Sequence, residues 1–162
     1  MLLRVAIGKV GIYTHLMEYD YKTTPYQHQD DVLKASWDKV NWAFFMEMGT
    51  GKSKVCIDTA SILYERGEID TFIVVAPKGV YRNWANLEIP AHMPDRVREG
   101  ALVSLWRPNP TKALKQDLIS FMAPATGFRM LMMNVEALST AKGQKFLTSV
   151  LKSSRALLTI DE

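Results

Sequence analysis

Apolar and polar positions along this chain fall into short, continuous apolar runs separated by longer amphipathic stretches. The runs are Asn41-Trp42-Ala43-Phe44-Phe45-Met46, Thr71 to Ala76, Ala101 to Leu105, Arg129 to Asn134 and Ala156 to Ile160. Each lacks the strict alternation of a half-exposed strand and is too short for an ordinary helix. That pattern predicts buried strands of a parallel sheet. Between the runs the spacing turns helical: Lys52 to Glu65 through Val55, Ile57, Ile62 and Leu63; then Val80 to Ile89; Thr111 to Met122 behind Pro108 and Pro110; and Gly143 to Leu151. A further helix is expected from about Tyr26 to Trp37, after the break at Thr23-Thr24-Pro25. Strands alternating with helices of this length predict an α/β fold, a parallel sheet covered by helices on both faces. The start of the chain differs. Residues 2–19 alternate and carry Gly8 and Gly11, which predicts a short N-terminal β-hairpin or paired strands. The expected organisation is therefore an N-terminal hairpin extension over residues 1–24 and an α/β domain over residues 25–162.

Composition adds bounds more than content. At 162 residues, 48% of them apolar, the chain has material for one core and is not compositionally disordered. A net charge of +3 and a pI near 9.0 are compatible with contact to a phosphate backbone but do not argue for it. Cys56 is the single cysteine, so no intramolecular disulfide is possible and a reducing cytoplasm is the simplest location, a host cytoplasm if the source is a phage. No apolar stretch approaches the length of a membrane span, and the brief apolar start is interrupted by Gly8-Lys9, so neither a membrane partner nor a signal peptide is expected. The methionines read as core filler, not as a metal box.

The strongest chemical signal is Glu47-Met48-Gly49-Thr50-Gly51-Lys52-Ser53, placed between an apolar strand and a helix. Gly49 and Gly51 free the backbone to turn successive N–H groups around phosphate oxygens. The helix that follows offers its positive end to the same anion. Lys52 would reach the β- and γ-phosphates, and the Ser53 hydroxyl would help to hold Mg²⁺. The strict phosphate-loop pattern has glycine where this chain has Met46, so the match is to a looser form. Downstream, Asp161-Glu162 follows the apolar strand Ala156 to Ile160. Asp161 would hold Mg²⁺ directly or through water, and Glu162 would polarise the water that attacks the γ-phosphate. Asp-Glu also begins many surface turns, so the pair gains meaning only from the loop upstream. The cofactors implied are ATP and Mg²⁺.

Further blocks extend the pattern. Pro25-Tyr26-Gln27-His28-Gln29 precedes the first long helix; Val74-Val75-Ala76-Pro77-Lys78-Gly79-Val80-Tyr81-Arg82-Asn83-Trp84 runs on to Glu88-Ile89; and Met133-Asn134-Val135-Glu136-Ala137-Leu138 precedes the last helix. With the glycine loop and Asp161-Glu162, in this order, they resemble the first RecA-like domain of a superfamily 2 helicase or translocase, nearest to the Swi/Snf-type branch and its phage-encoded relatives. The resemblance covers the chain from about Pro25 to its end.

The resemblance implies an adenine-reading glutamine, Gln29 or alternatively Gln27, whose amide offers both a donor and an acceptor. It also places the Lys78 block near a nucleic-acid backbone, nominating Lys78 and Arg82 as phosphate contacts, with a solvated loop charge as the plain alternative for Lys78. Trp84 reads as a packing residue. The nucleotide-binding set is then Gln29, Gly49, Thr50, Gly51, Lys52 and Ser53; the catalytic set is Lys52, Asp161 and Glu162; and Ser53 and Asp161 are the Mg²⁺ ligands. The implied track is DNA more readily than RNA. A second RecA-like domain, supplying an arginine finger worth about 10³–10⁵ in rate, is expected on another polypeptide or a rejoined C-terminal fragment. The strand that lies between the loop strand and the Asp-Glu strand in the family is missing from the sequence, which predicts an incomplete sheet with a gap and a chain that hydrolyses ATP poorly alone. Two other readings compete: a phosphate-loop enzyme outside the helicases, such as a kinase, and a non-catalytic remnant or nucleotide- or partner-binding module of a split gene.

Overall fold

The computed structural model describes residues 2–5 as backbone, and residues 19–123 and 127–161 in full. One six-stranded sheet has the order β2-β1-β6-β3-β5-β4. Its strands are β1 (Leu2–Val5), β2 (Asn41–Ala43), β3 (Thr71–Ala76), β4 (Leu102–Leu105), β5 (Arg129–Asn134) and β6 (Ala156–Ile160). From β6 to β4 the neighbours are parallel, with Val74 opposite both Thr159 and Met132, and Val103 opposite Met130. The chain is therefore α/β with a four-stranded parallel sheet between helices, consistent with a phosphate-loop, RecA-like type of fold.

The helices are α1 (Gln27–Ser36), α2 (Lys52–Glu65), α3 (Tyr81–Asn83), α4 (Ile89–His92), α5 (Asp95–Arg98), α6 (Lys112–Met122) and α7 (Ala141–Ser153). A π turn, Trp84–Glu88, joins α3 to α4, and a 3₁₀ turn, Val135–Ser139, follows β5. The period of two in β3 divides the core. Phe72, Val74 and Ala76 bury one face against α1, α2 and the α3–α5 segment, while Ile73 and Val75 bury the other against α6 and α7. Met130 and Met132 lie in the first layer and Met133 in the second, so these methionines do fill the core. Burial on both faces explains why these strands read as unbroken apolar runs.

Most expected spans match within a residue or two, and the departures have physical causes. β2 ends at Ala43, well before Met46, because Phe44 turns into the core while Phe45 is 97% exposed. The helix expected to close at Ile89 continues through Pro90 to His92. Proline lacks an N–H and its ring crowds the carbonyl one turn back. The π turn lies just ahead of it, with the Ile89 N–H bonded to the Trp84 carbonyl, five residues away instead of four. At α7, Thr140 caps the helix by accepting from the Gly143 N–H at 3.1 Å, so the helix starts at Ala141.

The sheet itself corrects one expectation. No gap separates the loop strand from the Asp161 strand: β1 fills that place, antiparallel to both, with Leu3 opposite Trp42 on one side and Thr159 on the other. The second arm of the expected N-terminal hairpin falls outside the described residues. Among the described residues no helix is long and apolar enough to cross a membrane.

Candidate functional site

Strand direction gathers the candidate residues. β2 and β6 are each antiparallel to β1 and so run the same way, and β3, β5 and β4 run with β6. The carboxyl ends of β2, β6, β3, β5 and β4 thus share one edge of the sheet. In open α/β sheets, ligands bind beyond that edge. The segments leaving it are the glycine loop, Asp161, the Lys78 loop, the Asn134–Glu136 segment and Arg107.

The glycine loop is built to present donors. Gly49 and Gly51 have φ of 76° and 88°, the left-handed region where other residues are strained. Gly51 is the N-cap of α2 and has no side chain to cap it, and the first turn carries no acidic residue. The first helical N–H groups and the positive helix end are left for an anion. Lys52 Nζ donates to the carbonyls of Met46 and Glu47, both at 2.9 Å. Those oxygens occupy the acceptor role that phosphate oxygens would take. The Thr50 hydroxyl closes the turn on the Glu47 carbonyl at 2.7 Å. This donor set, uncapped N–H groups with a lysine beside them, suits a nucleotide phosphate.

Gln29 braces the loop. Its side chain is 5% exposed, accepts from the Tyr26 N–H at 3.0 Å and donates to the Thr50 carbonyl at 3.0 Å. One amide N–H and one oxygen lone pair remain beyond these bonds. His28 Nε2 lies 3.0 Å from the same Thr50 carbonyl. Gln27 points elsewhere and donates to Asp31 at 2.8 Å on the exposed side of α1. Of the two glutamines, then, Gln29 meets the loop.

Asp161 follows β6, and its N–H is held by the Val75 carbonyl at 2.8 Å. Its carboxylate accepts from the Trp84 indole at 3.0 Å through Oδ2. The Cys56 thiol of α2 is pushed up by burial, opposed by the Thr159 hydroxyl and reinforced by the Asp161 charge, which puts Asp161 within electrostatic reach of the helix that the loop begins. A carboxylate and the Ser53 hydroxyl are hard oxygen donors suited to Mg²⁺, which binds through few protein ligands together with substrate phosphates. Glu162 lies outside the described residues.

The Lys78 loop meets the segment after β5. Glu136 has its carboxyl held below the usual range by the Asn134 amide, which donates at 2.8 Å, and further by the charge and backbone N–H of Lys78. Arg82 instead leans on its neighbour Tyr81, with Nε 3.3 Å from the phenol oxygen and the guanidinium over the ring. No family model matches this chain, and no curated protein matches it.

Sequence reasoning missed three features here: the Trp84–Asp161 bond, the Gln29 brace and the Glu136–Lys78 contact. Each joins segments far apart in the chain, and only the fold brings them together. It also missed a cleft of about 610 Å³ next to the β4 end of the edge, where Arg107, Lys115 and Lys142 surround an apolar floor of Trp106, Leu118 and Phe146.

Proposed function

We propose that this chain is the ATP-binding part of an ATP-dependent DNA helicase or translocase. The observation that carries the reading is the left-handed glycine loop opening the uncapped helix α2 on the same sheet edge as Asp161. In this reading the α2 N–H groups and Lys52 bind the phosphates, Gln29 holds the loop in shape and offers its remaining amide valences to adenine, and Ser53 and Asp161 hold Mg²⁺. When bound, Mg²⁺ would neutralise charge on the β- and γ-phosphates. Glu162 would polarise the attacking water. Phe45 and Met48, 97% and 96% exposed beside the loop, suit an apolar surface that a second domain packs over the nucleotide.

DNA would lie along the edge at Lys78 and Arg82, with Arg107 at the end of β4 continuing the cationic line. This part is tested by fluorescence anisotropy of labelled DNA over a salt series. Lys78→Ala and Arg82→Ala are each expected to weaken binding and to reduce the slope of log K against log salt by about 1. Binding that is absent at low salt, or unchanged in both variants, would contradict the nucleic-acid half of the reading. Retained ATP binding in that case would favour a phosphate-loop enzyme with a small-molecule substrate.

A further inference from the structure

A buried indole gains by pairing its N–H, and Trp84, unlike Trp37, places it on a carboxylate. The ring is 1% exposed, sits edge-to-face with Phe72 of β3 at 6.3 Å and 70°, and donates from Nε1 to Asp161 Oδ2 at 3.0 Å. The π turn that begins at Trp84 fixes the backbone beneath it. Asp161 is held at its main chain by Val75 and at one carboxylate oxygen by the indole, so both its position and its rotation are set from β3 and from the helix behind Lys78. Among the described residues no protein hydrogen bond is directed at Oδ1, which leaves that oxygen for another ligand.

Packing alone accounts for a buried tryptophan, but not for its donor being spent on the carboxylate of Asp161, the first residue past β6. We infer that Trp84 is a positioning residue: its indole N–H orients the Asp161 carboxylate toward the Mg²⁺ of a bound nucleotide. The inference rests on the nucleotide-site reading proposed above. It adds that the Asn-Trp block acts on the metal side of the site through the helix that starts beside Lys78. Partners that orient metal ligands typically contribute 10- to 100-fold in metal affinity.

The test is the Mg²⁺ dependence of fluorescent-ATP binding, together with Mn²⁺ binding followed by paramagnetic resonance in the presence of ATP. Trp84→Phe keeps an aromatic ring and removes the donor. It is expected to bind ATP without metal as the wild type does, while the metal-dependent gain in affinity falls by about tenfold. Should Trp84→Phe fail to fold, benzothienylalanine at position 84 keeps the bicyclic shape with sulfur in place of N–H, and the same loss is expected. Wild-type Mg²⁺ dependence in a folded Trp84→Phe or benzothienylalanine protein would overturn the positioning role and leave the nucleotide site standing. Absence of Mg²⁺-dependent ATP binding in the wild type itself would overturn both.

Discussion

Beneath the glycine loop, Lys54 and Asp58 form an ion pair at 2.6 Å with side chains 6% and 1% exposed. Burial raises the Asp58 carboxyl to about 6 even though the Lys54 ammonium opposes it, and among the described residues no hydrogen bond reaches Asp58 Oδ1. The folded state keeps the proton up to about pH 6, whereas an ordinary aspartate releases it near 3.8. The contribution of Asp58 to folding stability is therefore greatest below the unfolded value and falls as pH rises through this window. A shift of this size corresponds to something on the order of 3 kcal/mol. Urea unfolding between pH 4 and pH 7 is expected to show stability falling with rising pH in the wild type relative to Asp58→Asn, because the His92 contribution, which rises with pH, is common to both. Superimposable profiles would remove Asp58 from the explanation.

Between elements, the joint that matters is α1 against the loop that opens α2. A Cβ on Gly51 would stand 2.2 Å from Gln29 Nε2, and the residue already sits at φ 88°. A side chain in the left-handed region costs roughly 1–2 kcal/mol, and the Gln29 amide would also have to leave the Thr50 carbonyl. Gly51→Ala is expected to lower the unfolding midpoint in urea and to weaken ATP binding together. Among the described residues nothing lies within 4 Å of such a Cβ on Gly49, so Gly49→Ala is expected to show the smaller effect of the two. Wild-type stability and ATP affinity in Gly51→Ala would show that the brace is dispensable. At this scale the sequence was largely legible. Strands buried on both faces, such as β3 and β5, leave unbroken apolar runs, and α2 follows glycines that no regular strand would keep. What it could not show was pairing. Nothing local tells β1 to insert antiparallel between β2 and β6, and nothing at Trp84 announces a partner 77 residues on.

Across the whole molecule, the arrangement is a mixed six-stranded sheet whose carboxyl edge collects a glycine loop, a carboxylate and cationic side chains from five strands. The glycine loop and the Asp161 strand are tied into one sheet through β1, so the two halves of the candidate site share a frame although they come from distant parts of the sequence. The loop was legible as a tight turn because left-handed backbone favours glycine, and Gly49 and Gly51 both adopt it. Lys78 and Arg82 were less so, since a lysine or arginine on a loop looks the same whether it meets phosphate or water. The most direct measurement is equilibrium binding of ATP with Mg²⁺ to the wild type and to Lys52→Ala, by calorimetry. Among the described residues the Lys52 ammonium donates only to the Met46 and Glu47 carbonyls, so the variant is expected to fold as the wild type does. Its affinity should drop at least about tenfold, near 1.4 kcal/mol. A wild type that binds no ATP, or a Lys52→Ala protein that binds it equally well, would contradict a nucleotide site at this edge.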